Sequence, residues 1–267
     1  MPEQRPFTDA RVRRYPWRVF FFLLLGSLLG MLAVLPYLKD TLGPTLTAHP
    51  LPLPLPILAL LQLLQGLVTF TVAIGLGLLA ARQLGLGAPI LERWLYHDRS
   101  IPVRPIFFVA SVTGLILGVI TLVAIMSPLG ETLRHLTPVP ESRVPLWKRL
   151  LACLYGGLDE EVLMRLFLLS VVLWLLMKLF RATPRNVVLF WSTNVLVAIA
   201  FGAGHLPFAA TLGVLTPSLV TVIICVNGFV ALAFGYLYWT RGLEAAMLAH
   251  FSADFVLHVF GPLFIRN

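Results

Sequence analysis

Acidic and imidazole side chains lie inside three of the most apolar segments of this sequence. Glu160 and Glu161 occur in one segment, His205 ends a second, and His250 precedes Asp254 by four residues in a third. Carboxylates and imidazoles are the groups that most often accept and donate protons in enzymes. Burying them in apolar surroundings is costly unless they pair, contact water or do chemistry. One polar pocket shared by the three segments would explain all of these groups together.

Helical spacing assigns different roles to the two glutamates. Glu161 and Arg165 are four residues apart, so on an α-helix they share a face and can form a salt bridge. Glu160 points about 100° away from Glu161 and has no such cation. We therefore predict that Glu160 is a general base and that Glu161 and Arg165 support the site structurally. The alternative is that both glutamates brace neighbouring helices through Arg165.

The two histidine segments have structural alternatives of their own. His205 follows Phe201 by four residues and precedes Pro207, so it could be an interfacial residue at the end of a helix. His250 and Asp254 share a helical face and could form a local pair in which His250 donates to Asp254. The functional interpretation places His205, His250 and Asp254 in the same catalytic pocket as Glu160.

Composition identifies the class of protein. The 267 residues are 58% hydrophobic and 12% charged, with a mean hydropathy of +0.90, whereas soluble domains are about 45–50% apolar and about 25% charged. This pattern predicts an integral membrane protein. The net charge of +8 suits loops beside anionic headgroups and does not predict nucleic-acid binding. Cys153 and Cys225 both lie in apolar runs and carry no disulfide signal.

A spanning helix needs about 20 mostly apolar residues, which predicts an all-α transmembrane bundle of about seven helices, within six to eight. We expect a single integral membrane domain over 1–267, with N-terminal helices one to three in 1–146 and a motif-bearing core with a polar cavity in 147–260. Residues 82–104 are expected to form an amphipathic segment on the membrane surface. The predicted spans are Trp17–Leu38, Leu55–Ala81, Pro105–Ser127, Trp147–Leu179, Val187–His205, Ser218–Thr240 and Leu243–Phe260.

Basic residues predict the orientation of the bundle. Thirteen Lys and Arg residues fall on the side of the N-terminus and six on the other side. Under the positive-inside rule this favours a cytoplasmic N-terminus. The loop at 128–150 opposes that assignment, because four of the six lie there.

The three motifs resemble those of the CAAX protease and bacteriocin-processing (CPBP, or Abi) family of intramembrane endopeptidases. The family pattern is Glu-Glu-x-x-x-Arg, Phe-x-x-x-His and His-x-x-x-Asn/Asp on successive helices. Here the segments read EEVLMR at 160–165, FGAGH at 201–205 and HFSAD at 250–254. Each motif alone is short, but the ordered triple within apolar helices is specific. The resemblance covers about residues 147–260.

The resemblance implies a metal-independent glutamic endopeptidase without a cofactor. The residue matching Glu160 would activate a water with help from His205, while His250 and Asp254 would stabilise the oxyanion. The expected substrate is a peptide or protein, including lipidated or membrane-embedded ones, with lipids as the other partners. The cell (inner) membrane of a prokaryote is the expected location. One departure is Asp254, where CAAX-processing members have asparagine, because an ionised aspartate would repel an oxyanion.

Two other functions fit the same polar residues. Glu160, His205 and His250 could bind zinc with a fourth position open, as three-ligand catalytic sites do. A non-catalytic membrane protein or transporter could instead use the cluster as a proton or ligand site.

Overall fold

The computed structural model describes residues 15–48, 54–97, 103–134, 141–183 and 186–264. Within these ranges the chain is helical, without a strand, and seven helices are long and apolar enough to cross a membrane. The predicted transmembrane bundle is therefore confirmed, and the chain is an integral membrane protein.

We number the main helices in chain order. Helices α1, α2, α4, α5, α8 and α9 account for six of the seven candidate spans, the remaining span runs through α6 and the short α7, and α3 is also short. The bounds are α1 Trp17–Ala48, α2 Leu55–Leu84, α3 Pro89–Tyr96, α4 Val103–Met126, α5 Leu146–Leu179, α6 Val187–Gly204, α7 Leu206–Leu212, α8 Pro217–Arg241 and α9 Leu243–Phe264.

The first helix is longer than the sequence predicts. We expected it to end at Leu38, with a stiff proline-rich loop beginning at Pro44, but α1 continues to Ala48. Its last turns are supported by a polar contact with α5, since Asp40 Oδ2 lies 2.6 Å from Lys148 Nζ. Thr41 also donates its hydroxyl to the carbonyl of Tyr37, 3.1 Å away. Residues 49–53 lie outside the described part of the chain.

Helix α3 occupies the expected surface segment and is attached to the start of α9. The backbone N–H of Leu91 donates to Glu244 Oε1 at 2.8 Å, and Leu243 N donates to the carbonyl of Gly87 at 2.9 Å. Gly242 makes the turn before α9 with φ of 96°, a conformation that side chains other than glycine rarely adopt. Trp94 remains exposed on α3, as expected for an interfacial aromatic residue.

Helix α5, which carries the Glu-Glu-x-x-x-Arg motif, is in close contact with several helices. A Cβ added at Gly77 of α2 would lie 2.9 Å from the Leu166 carbonyl carbon. One added at Gly157 would lie 2.9 Å from Phe251 Cβ of α9. Glycines therefore allow backbones to approach each other closely around α5.

Helix α4 holds α9 in place through two glycines one turn apart. A Cβ at Gly114 would lie 2.7 Å from Ser252 Cβ and 2.8 Å from the Ala249 carbonyl carbon, while one at Gly118 would lie 2.7 Å from Val256 Cβ. The stretch of α9 against which they pack includes His250. The small residues of α4 therefore help to set the position of this histidine.

Gly114→Ala is accordingly expected to destabilise the protein. Overpacking a tight contact costs about 1–3 kcal/mol, because the backbone of α9 must shift to admit the methyl group. Thermal unfolding in detergent measures the effect. Gly43→Ala in α1 is the control, since a Cβ there meets nothing within 4 Å. Equal melting temperatures for the two variants would contradict the assigned packing.

Candidate active site

Glu161 and Arg165 form a buried ion pair on α5. Arg165 Nη1 lies 3.0 Å from Glu161 Oε1, and the two side chains are 1% and 0% exposed. Arg165 also donates from Nη2 to the carbonyl of Ala231 on α8 at 3.1 Å. Its guanidinium carbon lies 5.1 Å from the centroid of the Phe201 ring and 5.5 Å from that of Phe234. The arginine thereby connects α5 to both α6 and α8.

The motif segment of α5 is π-helical rather than α-helical. Two π-helical segments cover Gly156–Glu160 and Val162–Leu169. In a π-helix the hydrogen bonds span five residues, and such turns are frequent at functional sites. On the α-helix expected from the sequence, the two glutamates would face different directions. In the structure, both approach the ring of His250.

His250 is held between these carboxylates. Its Nδ1 lies 2.8 Å from Glu161 Oε1, and its Nε2 lies 3.9 Å from Glu160 Oε2. At this short distance His250 Nδ1 carries a proton and donates it in a hydrogen bond to the Glu161 carboxylate. The other ring nitrogen, Nε2, is directed towards Glu160. Phe234 stacks on the imidazole with ring centroids 4.8 Å apart. Glu161 therefore fixes the orientation of His250 as well as pairing with Arg165.

Asp254 is a more distant partner of His250 than the spacing suggested. Asp254 Oδ2 lies 3.5 Å from His250 Nε2, beyond the usual N–H···O range of 2.7–3.2 Å. The closest carboxylate to His250 is Glu161, on a different helix. The local pair of His250 and Asp254 is therefore present as a long contact, but it is not the whole environment of His250, because Glu161 makes the shorter one. Asp254 instead faces the same ring nitrogen as Glu160.

Exposure distinguishes the two glutamates. The side chain of Glu160 is 26% exposed and that of Glu161 is 0% exposed. Because Glu160 Oε2 also faces His250 and Asp254, its accessible carboxylate belongs to the interior cluster and does not point away from the bundle. Glu160 is therefore the one of the two glutamates that keeps exposed side-chain surface.

His205 reaches the cluster from the end of α6. Its Nδ1 lies 2.8 Å from the carbonyl of Phe201, which is free for this contact because the backbone N–H of His205 bonds to Gly202 instead. With Nδ1 donating to that carbonyl, Nε2 is left as the proton acceptor. His205 is close enough to Glu160 and Asp254 to interact with both electrostatically. The structure thus brings the predicted residues of α5, α6 and α9 together.

Three further residues belong to the site, namely Phe201, Phe234 and Gly156. Phe201 was part of a sequence motif, whereas Phe234 and Gly156 had no distinguishing signal in the sequence. The ring of Phe201 lies between the two histidines, 4.9 Å from His205 and 5.7 Å from His250. Phe234 resembles any other apolar residue of α8 until its stacking on His250 is seen. Gly156 lacks a side chain because a Cβ there would collide with Asp254 and lie 3.3 Å from His250 Nε2.

The zinc site considered from the sequence would use Glu160, His205 and His250 as ligands. Among the described residues, no group of three or more His, Cys, Asp or Glu side chains is arranged to hold a metal ion.

Asn194, another polar residue inside a predicted span, donates from Nδ2 to the Leu232 carbonyl at 2.9 Å. This hydrogen bond links α6 to α8, outside the cluster of Glu160, His205, His250 and Asp254.

Comparison with known protein families agrees with this geometry. Residues 142–256 match the family model described as type II CAAX prenyl endopeptidase, Rce1-like. No curated protein and no solved structure matched the chain. The matched region contains α5, α6 and α8 and most of α9, and with them all three motifs. The resemblance noted from the motifs is therefore confirmed.

Proposed function

We propose that this membrane endopeptidase of the Rce1-like CAAX protease family hydrolyses peptide bonds with a water activated by Glu160. The family match supports a membrane peptidase acting on a peptide or protein. The observation that carries the glutamate mechanism is that the adjacent carboxylates of Glu160 and Glu161 differ in exposure and in pairing. Glu161 is fully buried and paired with Arg165 and His250, whereas Glu160 is partly exposed beside His250. Only Glu160 can accept a proton from a water that enters the site.

Glu160 and His205 act on the water in this mechanism. Glu160 removes a proton, the resulting hydroxide attacks the carbonyl carbon of the substrate, and His205 orients the water through Nε2. The protonated Glu160 then gives its proton to the leaving amine as the C–N bond breaks. One water is consumed, and one carboxylate and one protonated amine are formed. General acid–base catalysis by a positioned side chain contributes typically 10²–10⁴-fold in rate.

His250 and Asp254 stabilise the tetrahedral intermediate in this mechanism. A protonated His250 donates from Nε2 to the oxyanion, while Glu161 holds its Nδ1 at 2.8 Å. Asp254, 3.5 Å from Nε2, balances the imidazolium charge and does not itself contact the oxyanion. This role accommodates an aspartate where CAAX-processing relatives have asparagine.

A lipidated or strongly apolar peptide end fits the surroundings of the site. An apolar cavity of about 270 Å³ lies between α1, α3, α5 and α9. Two of its lining residues are close in sequence to the cluster, since Leu158 precedes Glu160 by two positions and Met247 precedes His250 by three. None of the four cluster residues lines the cavity, so an apolar chain bound there would have to extend beyond it for its peptide bond to reach Glu160. Its lining includes Phe22, Leu91, Trp94, Leu158, Leu243 and Met247.

The same end of the bundle carries the basic residues that predict orientation. Arg18 of α1 donates to the Leu95 carbonyl of α3 at 3.3 Å, and Arg82, Arg93 and Arg241 lie at the adjoining helix ends. We propose that this end faces the cytoplasm, in the cell membrane of a prokaryote, and that substrates approach the cavity from that side.

A product-mapped digest tests the proposed function. Purified protein in detergent is incubated with CAAX-type peptides, with and without a C15 or C20 isoprenoid on the cysteine, and the products are identified by mass spectrometry. We expect cleavage next to the modified cysteine and about a 10²-fold or greater loss of rate in His205→Ala. His97→Asn, at the exposed end of α3, is the matched control and should cleave normally.

The competing functions predict different outcomes in the same assay. Loss of activity in chelator, restored by added zinc, would replace the glutamate mechanism by a metal-dependent one. A folded protein that cleaves none of these peptides would refute the proposed endopeptidase activity on CAAX-type substrates and favour a transport or binding role.

A further inference from the structure

A third carboxylate precedes the two motif glutamates and faces another helix. Asp159 is 0% exposed, and its carboxyl group is directed at α1 instead of α9. A Cβ added at Gly30 of α1 would lie 2.9 Å from Asp159 Cγ and 3.2 Å from Oδ1. Asp159 and Glu160 therefore face different helices from the same π-helical turn.

The hydrogen bonding of the Asp159 carboxyl group is incomplete. The hydroxyl of Ser27 on α1 interacts with the carboxyl as a hydrogen-bonding group, but the pair does not meet the usual distance and angle limits of a hydrogen bond. Both oxygens of Asp159 and the Ser27 hydroxyl are buried without a hydrogen bond among the described residues. Buried polar groups are nearly always satisfied, and an exception requires an explanation. An apolar side chain would be the less costly choice for simple packing between α1 and α5.

The shape of the contact indicates what the carboxyl group does. It occupies a recess that exists only because residue 30 is glycine, so it determines how α5 is rotated against α1 at this level. Asp159 is covalently next to Glu160, within the π-helical segment Gly156–Glu160. A rotation of that turn would move Glu160 Oε2 relative to His250 Nε2, which is now 3.9 Å away.

We propose that Asp159 is a positioning residue, whose carboxyl group is seated against Gly30 of α1 and holds the π-helical turn so that Glu160 faces His250. This inference rests on the proposed role of Glu160 as the base. Asp159 does not contact the substrate. It acts through the backbone of the turn, and α1 thereby becomes part of the catalytic apparatus although it lies outside the region that matches the family.

Variants of the two contacting residues test the proposal. Gly30→Ala should lower kcat about tenfold or more with little change in KM, because a small misplacement of a catalytic group is costly. Removing the carboxyl in Gly30→Ala/Asp159→Ala should raise kcat above that of Gly30→Ala alone. Asp159→Asn, which keeps the shape of the side chain, should retain kcat, whereas Asp159→Ala should lower it. The melting temperature of each variant is measured as well, so that a misplaced Glu160 can be distinguished from an unfolded protein.

Gly26→Ala is the matched control for α1. It lies one turn before Gly30, and its added Cβ would meet Leu158 Cδ2 at an ordinary 3.5 Å, so kcat should stay near that of the wild type. The proposal is overturned if Asp159→Ala keeps full kcat, or if the double variant is no better than Gly30→Ala.

A measurement that needs no activity separates this inference from the proposed function. In a Cys225→Ser background, which removes the exposed native thiol, Glu160→Cys is alkylated with a small maleimide. Adding Gly30→Ala should change the alkylation rate several-fold, adding Asp159→Ala as well should restore it, and Gly26→Ala should leave it unchanged. If the wild type cleaves no peptide, the proposed function fails and this rate still decides whether Asp159 positions residue 160. An identical rate in all backgrounds would overturn the positioning role.

Discussion

Glu160→Gln is expected to reduce peptide cleavage by about 10²–10⁴-fold, the contribution typical of a general acid–base group. Glutamine keeps the size of the side chain but cannot take a proton from water. Because Glu160 is partly exposed and its contact with His250 is 3.9 Å, its replacement by a neutral amide should leave the fold intact. The expected signature is therefore loss of rate with a normal melting temperature.

Glu131→Gln serves as the control for this substitution. Glu131 is exposed in a short helical turn after α4, and its replacement should change neither rate nor stability. The assay is cleavage of the best peptide from the product-mapped digest, with the melting temperature recorded for each variant. Substantial activity in purified Glu160→Gln would remove Glu160 from its role as base and with it the mechanism proposed above.

Arg165→Ala is expected to have the largest effect on stability. Removing one partner of a buried ion pair typically costs about 3–5 kcal/mol, because the other charge is left buried and uncompensated. Here the substitution removes the permanent positive charge beside Glu161, which is 0% exposed, and leaves it with His250 as a partner. It also removes the hydrogen bond to Ala231 and the contacts with the rings of Phe201 and Phe234.

Thermal or denaturant unfolding in detergent measures this loss. Arg143→Ala removes an exposed arginine and should unfold like the wild type. Glu161→Ala should lower both stability and rate, because it leaves Arg165 unpaired and releases Nδ1 of His250. Full thermal stability of Arg165→Ala with only a kinetic defect would contradict the bracing role and place the arginine in the chemistry itself.

Much of the membrane architecture was predictable because hydropathy and length act locally. A run of about 20 apolar residues must be helical in a bilayer, whatever surrounds it, and the observed spans begin within two residues of their predicted starts. The extension of α1 to Ala48 was not predictable in this way. It is accompanied by the contact of Asp40 with Lys148, a residue 108 positions away in the sequence.

The candidate site was predictable in its membership but not in its contacts. Acidic and imidazole side chains in apolar helices are costly enough to indicate one shared pocket, so the sequence alone was sufficient to nominate Glu160, His205, His250 and Asp254. Their pairing depends on how helices rotate against one another. The spacing of four residues suggested Asp254 as the partner of His250, yet the closest carboxylate comes from Glu161 on α5.

By itself, the sequence determined that the chain is a helical membrane protein and which polar side chains it commits to the interior, because both follow from the cost of leaving charge or backbone unsatisfied in lipid. Only the tertiary structure decided which glutamate is accessible and which is buried, and that Asp159 faces α1. Those outcomes depend on a π-helical turn and on polar side chains that pack closely against the glycine backbone at Gly30 and Gly156. Such contacts join residues far apart in the chain, so no local pattern encodes them.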